Sequence, residues 1–353
     1  MNDKEEIYKK LKNIRKIGVY VNVPGLGDML FIIPLFRALK KGFPDAEVIF
    51  IGRMGREYVA PVLERCPYID SMMEYDFYYP RDMRHHLKFI LQMRRERFDL
   101  FVDTQRKFLP SLILVLGGAR YRVGYSAGGV FSHFAVKTEN RKGRHTADVS
   151  LDLARALGLE VSAELEVNMS GENLKNAEEF YTDRGIVKGN RLAGLITSAG
   201  IADKCWDVEK FGELARRFSS DGYRVVCFGA PEDQAVIDAV RSHAGIPLIE
   251  ANYEGKSVLD TAAMMRWCEV IVGNDSGPLH LADAVGAACV GIYGPSLPAR
   301  FGLFGKKTKT ICLNVDCAPC SDERCEYRKC LAEISVDEVY KAAMELISQS
   351  KGV

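Results

Sequence analysis

The chain has 353 residues, 47% of them hydrophobic and 27% charged, a composition of globular protein long enough for two ordinary cores. Its 48 basic residues stand against 47 acidic ones, so the net charge of +1 gives no argument for a nucleic-acid partner. No apolar run reaches the roughly 18 to 20 residues of a membrane span, and the charged start MNDKEEIYKKLKNIRK lacks the apolar core of a signal peptide, so a cytoplasmic location is expected.

The first half alternates between extended and helical patterns. Strands are predicted over 16–23, 46–51, 99–103 and 121–125, with helices in 28–42, 55–66, 81–97, 109–116 and 146–157. Such alternation makes a parallel sheet covered by helices. After the first strand, Pro24-Gly25-Leu26-Gly27-Asp28 lets the backbone pass close to a ligand, but it is not the GxGxxG dinucleotide fingerprint. Asp28 either caps the following helix or serves as a general base at the sheet's carboxyl edge. Pro34 complicates that helix, because proline starts a helix readily and kinks one from inside. The segment RDMRHHLKFILQMRRER, 81–97, carries six basic residues against two acidic ones. A solvated basic face is its ordinary reading; contact with an anionic membrane or an anionic acceptor is the alternative. Arg106, Lys107, Arg120 and Arg122 lie near predicted strand ends and are weaker candidates for meeting an acidic acceptor.

Past Gly158 the chain turns polar and irregular, which marks a linker. A second series follows: a helix at 173–184, strands at 192–198, 223–228, 247–250 and 270–273, and helices at 208–219, 232–243 and 258–268. Within the stretch GNDSGPLHLADAVGAACVGIYGP, 273–295, the apolar strand 270–273 breaks at a polar turn, a helix resumes and a strand at 289–293 closes. Free N–H groups at that helix start, with the positive end of its dipole, can seat a phosphate or carboxylate. Asn274, Asp275 and Ser276 are also ordinary helix caps, and Gly277-Pro278 suits a helix entry. A cap needs one polar side chain, whereas this turn offers three and then His280 one turn further on. Lys204, after the strand 192–198, can neutralise a diphosphate, and Glu232, in Gly229-Ala230-Pro231-Glu232-Asp233, can accept from ribose hydroxyls. A solvated lysine and a helix-terminal glutamate are the plain alternatives, and Trp206 is a packing residue. A last helix at 336–348 starts from the cap Ser335, with Val336, Val339, Ala343 and Ile347 as its buried stripe.

Ten cysteines are too few for a disulfide scaffold in a chain of this length. Cys66, Cys205, Cys227, Cys268 and Cys289 lie singly in apolar surroundings, as reduced thiols do. Cys317, Cys320, Cys325 and Cys330 have spacing that can hold a structural zinc ion, with disulfides or free thiols as the alternatives.

GLGDMLFIIPLFRALKKGFP, then Lys204-Cys205-Trp206, GAPED and GNDSGPLHLADAVGAACVGIYGPSLPARFG fall in an order that resembles glycosyltransferase family 9, the ADP-heptose:lipopolysaccharide heptosyltransferases. The resemblance runs from Ile17 to about Ile347. It implies a GT-B fold, two facing Rossmann-like doubly wound α/β domains with an interdomain cleft. Residues 1–170 would bind the acceptor and 171–334 the donor nucleotide-sugar, with the helix in 335–353 packing back across the junction. It implies further that Asp28 is the base, that Lys204 contacts donor phosphate, and that Glu232, or Asp233 one residue on, lies by the ribose. Asp275, Ser276, Gly277 and His280 would form the donor-holding turn. Cys205 and Asp207 depart from the family pattern, Asp207 standing where proline often opens the helix and able to cap it instead. The expected function is inverting, cofactor-independent transfer of a heptose or similar sugar from an ADP-sugar to a lipid-linked or oligosaccharide acceptor, without nucleic acid. Other classes compatible with this plan are a sugar-nucleotide epimerase or hydrolase and a non-catalytic nucleotide-sugar-binding protein.

Overall fold

The computed structural model describes residues 11, 13–22, 25–53, 58–76, 83–105, 107–125, 132–136, 143–252, 257–318, 320, 325 and 328–351. The chain divides into two compact units, Met1–Ala163 and Glu164–Val353. In the first, β1 (Lys16–Val21), β2 (Glu47–Gly52), β3 (Ser71–Glu74), β4 (Leu100–Asp103), β5 (Tyr121–Tyr125) and β6 (Phe134–Val136) form one sheet in the order β3-β2-β1-β4-β5-β6. In the second, β7 (Leu192–Ile196), β8 (Arg224–Gly229), β9 (Ile249–Asn252), β10 (Val270–Asn274), β11 (Cys289–Tyr293) and β12 (Thr308–Cys312) form another in the order β12-β11-β10-β7-β8-β9. Every neighbouring pair is parallel. Parallel strands need crossover connections, so helices cover both faces and the inner strands are largely apolar. All five residues of β7 (LAGLI) and of β10 (VIVGN) are accordingly buried.

Three strands lay outside the expected elements: β3 (SMME), β6 (FAV) and β12 (TKTIC). Each is a sheet edge with one partner and partial exposure, so no continuous apolar run betrays it. The helix expected over 28–42 is two helices, Leu26–Leu30 and Ile33–Gly42, with proline in the first turn of the second. Pro34 therefore begins a helix, as its fixed φ and missing N–H favour. Residues 55–57 of the helix expected at 55–66 lie outside the described residues, and Ala60–Glu64 is helical.

Each sheet has its own core. Ile17, Val19, Val48, Phe36 and Leu100 belong to the first, while Leu195, Phe211, Phe218, Val272 and Val290 belong to the second. The final helix, Val336–Lys351, buries Val336, Val339, Ala342, Ala343, Leu346 and Ile347 in the second core. It starts where expected, with the Glu338 N–H donating to Ser335 Oγ at 3.2 Å.

The helix Gly171–Thr182 opens with a reciprocal capping box between Ser170 and Asn173. It is locked to the helix Val258–Met265 by one buried carboxylate. Asp260 accepts from Asn173 Nδ2 at 2.8 Å, Asn176 Nδ2 at 3.0 Å and the Ser257 N–H at 2.9 Å. Asp260→Ala strands these donors and is expected to destabilise the protein by roughly 2–3 kcal/mol, read as a lowered urea midpoint.

Candidate active site

In a doubly wound sheet of this order, loops leave in opposite directions where the strand order reverses, opening a crevice at the carboxyl edge. The reversals fall between β1 and β4 and between β7 and β10. The second is where the polar turn after β10 lies.

That turn is built residue by residue. Gly273 sits beside Ile196 of β7, and a Cβ there would meet the Ile196 Cβ at 2.7 Å, so only glycine lets the strands approach. Asn274, with 0% exposure, donates through Nδ2 to the Thr197 carbonyl at 2.8 Å and accepts from the Trp206 N–H at 2.9 Å. It thus staples the end of β10 to the end of β7 and to the following turn. Asp275 is 5% exposed; its Oδ2 accepts from Lys204 Nζ at 2.7 Å and its Oδ1 lies 3.4 Å from His280 Nε2. Burial pushes this carboxyl pKa up, but hydrogen bonds from His280, Lys204 and Ser296 and the lysine's charge outweigh it, holding the group at about 2. Ser296, in the segment after β11, is a partner that sequence reasoning missed; its only signal was its place three residues past a strand end.

None of the turn's polar side chains caps the helix Gly277–Ala284. Ser276 takes the cap position with an extended backbone but makes no side-chain cap bond. Its hydroxyl oxygen and Thr197 Oγ1 are buried without a hydrogen-bond partner among the described residues. Buried hydroxyls normally find partners, so two polar groups stand unspent at the carboxyl edge beside a lysine and a helix N-terminus. Asp283, at the far end of the same helix, accepts from the Phe304 N–H at 2.7 Å and the Gly305 N–H at 3.0 Å, which ties the loop before β12 to the helix. Burial raises its pKa against those bonds. A Cβ on Gly305 would lie 2.1 Å from Asp283 Oδ1, so this anchor also requires glycine.

Lys204 ends a 3-10 turn, Ala202–Lys204, after β7. Trp206 is buried as expected: it stacks edge-on against Phe211 at 5.1 Å and donates from Nε1 to the Ile334 carbonyl at 3.2 Å. Asp207 occupies the cap position of the helix Val208–Ser220 without a side-chain cap bond, and its carboxylate instead lies 3.5 Å from Lys210 Nζ. Cys205 is half-buried in this turn rather than in the core. After β8, Asp233 accepts from the Ala230 N–H at 2.8 Å and so closes its own turn, whereas Glu232 is exposed on that turn at the same sheet edge.

In the first unit, Asp28 is half-buried in the first turn of the helix Leu26–Leu30, just past β1, and the residue at that helix's cap position is Gly25, which has no side chain. Past β4, the Thr104 hydroxyl donates to the Tyr20 carbonyl at 2.8 Å and joins the two strand ends at the reversal. Asp103, 6% exposed, accepts from Ser111 Oγ at 2.6 Å and from the Gln105 N–H at 2.8 Å, and burial raises its pKa to about 6 despite these bonds. Asp103, Gln105 and Ser111 were not singled out in the sequence; a carboxylate closing a buried strand at the reversal was the available signal. Arg106 lies outside the described residues. Arg120 directly precedes β5 and Arg122 is its second residue, at the amino edge of the sheet, away from the edge where Asp28 emerges.

All ten cysteines are unpaired. Cys330 is buried, and both burial and the thiols of Cys317, Cys320 and Cys325 push its pKa up. Among the described residues no three His, Cys, Asp or Glu side chains are grouped to hold a metal ion. Two described residues of this stretch reach the turns near the site: the Cys320 N–H donates to the Pro295 carbonyl at 3.1 Å, and the Arg328 guanidinium to the Cys205 carbonyl.

Two parallel sheets of this order, with a half-buried lysine on a buried carboxylate-imidazole pair at the second reversal, define a two-unit α/β protein of GT-B fold. The chain belongs to glycosyltransferase family 9 (heptosyltransferase), whose family model matches residues 86–331. It is similar to lipooligosaccharide heptosyltransferase 2 of Campylobacter jejuni, 22% identical over 343 residues, which cover 94% of this chain and 99% of that one. Among solved structures, a family 9 glycosyltransferase from Veillonella parvula superposes with a TM-score of 0.78 at 24% identity, covering 95% of this chain and 97% of that one. ADP-heptose lipopolysaccharide heptosyltransferase II of Escherichia coli superposes with a TM-score of 0.75 at 20% identity, covering 95% and 99%.

The Asp275 geometry carries a pH dependence. An unfolded aspartate titrates near 3.9 and the folded one at about 2. The unfolded state therefore takes up its proton first, and the stabilisation is complete above about pH 4 and lost as pH falls through about 2. Asp275→Asn is expected to cost about 2 kcal/mol at neutral pH and to flatten the acid limb of stability, as measured by denaturant unfolding across that window.

Proposed function

We propose that this enzyme transfers a heptose from ADP-heptose to a sugar hydroxyl of a lipopolysaccharide-type core, with inversion at the anomeric carbon and without an obligatory metal ion. One observation carries the reading: Lys204, held by buried Asp275, stands with the helix start at Ser276-Gly277 at the reversal point of the second sheet. A lysine beside free N–H donors suits a departing diphosphate. An ammonium has three donors, so Lys204 can keep one on Asp275 and turn the others to phosphate oxygens. The family, and relatives that act in lipopolysaccharide or lipooligosaccharide synthesis, supply the sugar and acceptor class.

On this reading Asp28 takes the proton of the acceptor hydroxyl as its oxygen attacks the anomeric carbon. The bond from that carbon to the diphosphate oxygen breaks, and ADP leaves with the electron pair. Glu232, uncommitted on the same edge as Lys204, accepts from the ribose hydroxyls, while Asp233 keeps its turn closed. His280 orients Asp275, and through it the lysine.

Asp28→Asn is expected to lower kcat about 10²- to 10⁴-fold, the range of a lost general base, with unchanged thermal unfolding; intact transfer would end the assignment. In a thermal-shift screen ADP-heptose should stabilise the protein more than UDP-, GDP- or CDP-sugars, and Lys204→Ala should remove most of that shift. Transfer should persist in excess EDTA. Turnover of donor without an added acceptor would point instead to a hydrolase.

A further inference from the structure

The helix Met83–Glu96, MRHHLKFILQMRRE, buries one face only. Phe89 and Met93, 3% and 1% exposed, enter the core under the first sheet. Met83, Leu87 and Leu91 recur every fourth residue, which sets them in one stripe along the helix. They are 77%, 57% and 46% exposed. The neighbouring helix Phe108–Leu116 is joined to it by Arg94 Nε donating to the Leu116 carbonyl at 2.8 Å, and it adds Phe108 and Leu116, 59% and 42% exposed. Isolated exposed apolar residues are ordinary, whereas three in one stripe along a helix, with two more on the helix bonded to it, are not.

Among the described residues of this helix the exposed charge has one sign. Arg84, Lys88, Arg94 and Arg95 are exposed along the same helix. Its single carboxylate, Glu96, is 2.5 Å from Lys16 Nζ and so is already neutralised. In a chain of net charge +1 this is a local concentration of positive charge. A linear apolar stripe flanked by long basic side chains, whose stems lie on apolar surface while their heads reach outward, fits an anionic lipid bilayer met side-on. No helix among the described residues is long and apolar enough to cross a membrane, so the contact is one of surface. Tyr75, just past β3, is bonded to His86 Nδ1 at 2.7 Å, which holds the start of the helix at the carboxyl edge of the sheet where Asp28 also emerges.

We propose that the helix Met83–Glu96, with Phe108 and Leu116 beside it, is a docking face for an anionic membrane surface. The stripe lies in the acyl-headgroup boundary and Arg84, Lys88 and Arg95 meet lipid phosphates. If the function proposed above holds, this brings the Asp28 edge to a lipid-linked acceptor; the docking itself does not require it.

The test is co-sedimentation of the full chain with vesicles of phosphatidylethanolamine and phosphatidylglycerol, against vesicles of phosphatidylcholine alone. Binding to the anionic vesicles should be at least tenfold tighter and should weaken as salt is raised. Leu87→Ser with Leu91→Ser, and separately Arg84→Gln with Lys88→Gln and Arg95→Gln, should each weaken it at least tenfold. Thermal unfolding should be unchanged, since these side chains are exposed. Indole emission from a Leu91→Trp variant should shift to the blue on anionic vesicles only. Transfer to a soluble acceptor fragment should be unaffected by the serine pair, which separates failure of docking from failure of the enzyme assignment. Absence of anionic binding, undiminished binding by either set, or an unshifted indole would overturn the proposal.

Discussion

A carboxylate buried as deeply as Asp275 must be compensated, and much of the second unit is arranged around that need. Removing the charge from water favours protonation, and only several donors together hold it ionised. Lys204 comes from the turn after β7, His280 from the helix that follows Asp275, and Ser296 from the segment after β11. Three separate connections therefore converge on one side chain. The lysine gains a fixed position from the same bond, which gives a cationic group a defined place before any ligand arrives.

Fixing the lysine also requires a rigid turn. Asn274 holds the Trp206 N–H, and Trp206 is packed on Phe211 and bonded to the carbonyl of Ile334. Lys210 donates to that same carbonyl at 3.0 Å, and Arg328 reaches the carbonyl of Cys205. Arg328 and Ile334, just before the last helix, thus help hold the lysine's turn and the helix after it. Fold stability and placement of the charged group share these contacts, so changes far along the chain can act on the site through the turn.

How much of this was legible depended on whether a feature is local. Inner strands such as 192–198 and 270–273 stood out because both of their faces are buried, and the closing helix stood out through its cap and stripe. Edge strands β3, β6 and β12 did not, since one-sided pairing demands no apolar run. Among the proposed site residues, Asp28, Lys204, Glu232 and the turn 274–280 were recognisable from position after strands and from motif order. Ser296, Thr197, Asp103 and Ser111 were not, because single polar residues near strand ends are common and only their neighbours distinguish them. Asp207 shows the opposite failure: it stands at a cap position and bonds elsewhere.

The sequence by itself determined two alternating α/β series, the polarity of their loops and the family, because apolar periodicity, glycine and proline punctuation and motif order are properties of short stretches. What only the tertiary structure decided is the task of each polar side chain in the turn after β10. Asn274 became a staple, Asp275 an anchor for a lysine, and Ser276 an uncommitted hydroxyl at a cap position. Lys204 and Asp275 are 71 residues apart and meet because the strand order reverses between β7 and β10. That pairing is a property of the folded sheet, and no local pattern encodes it.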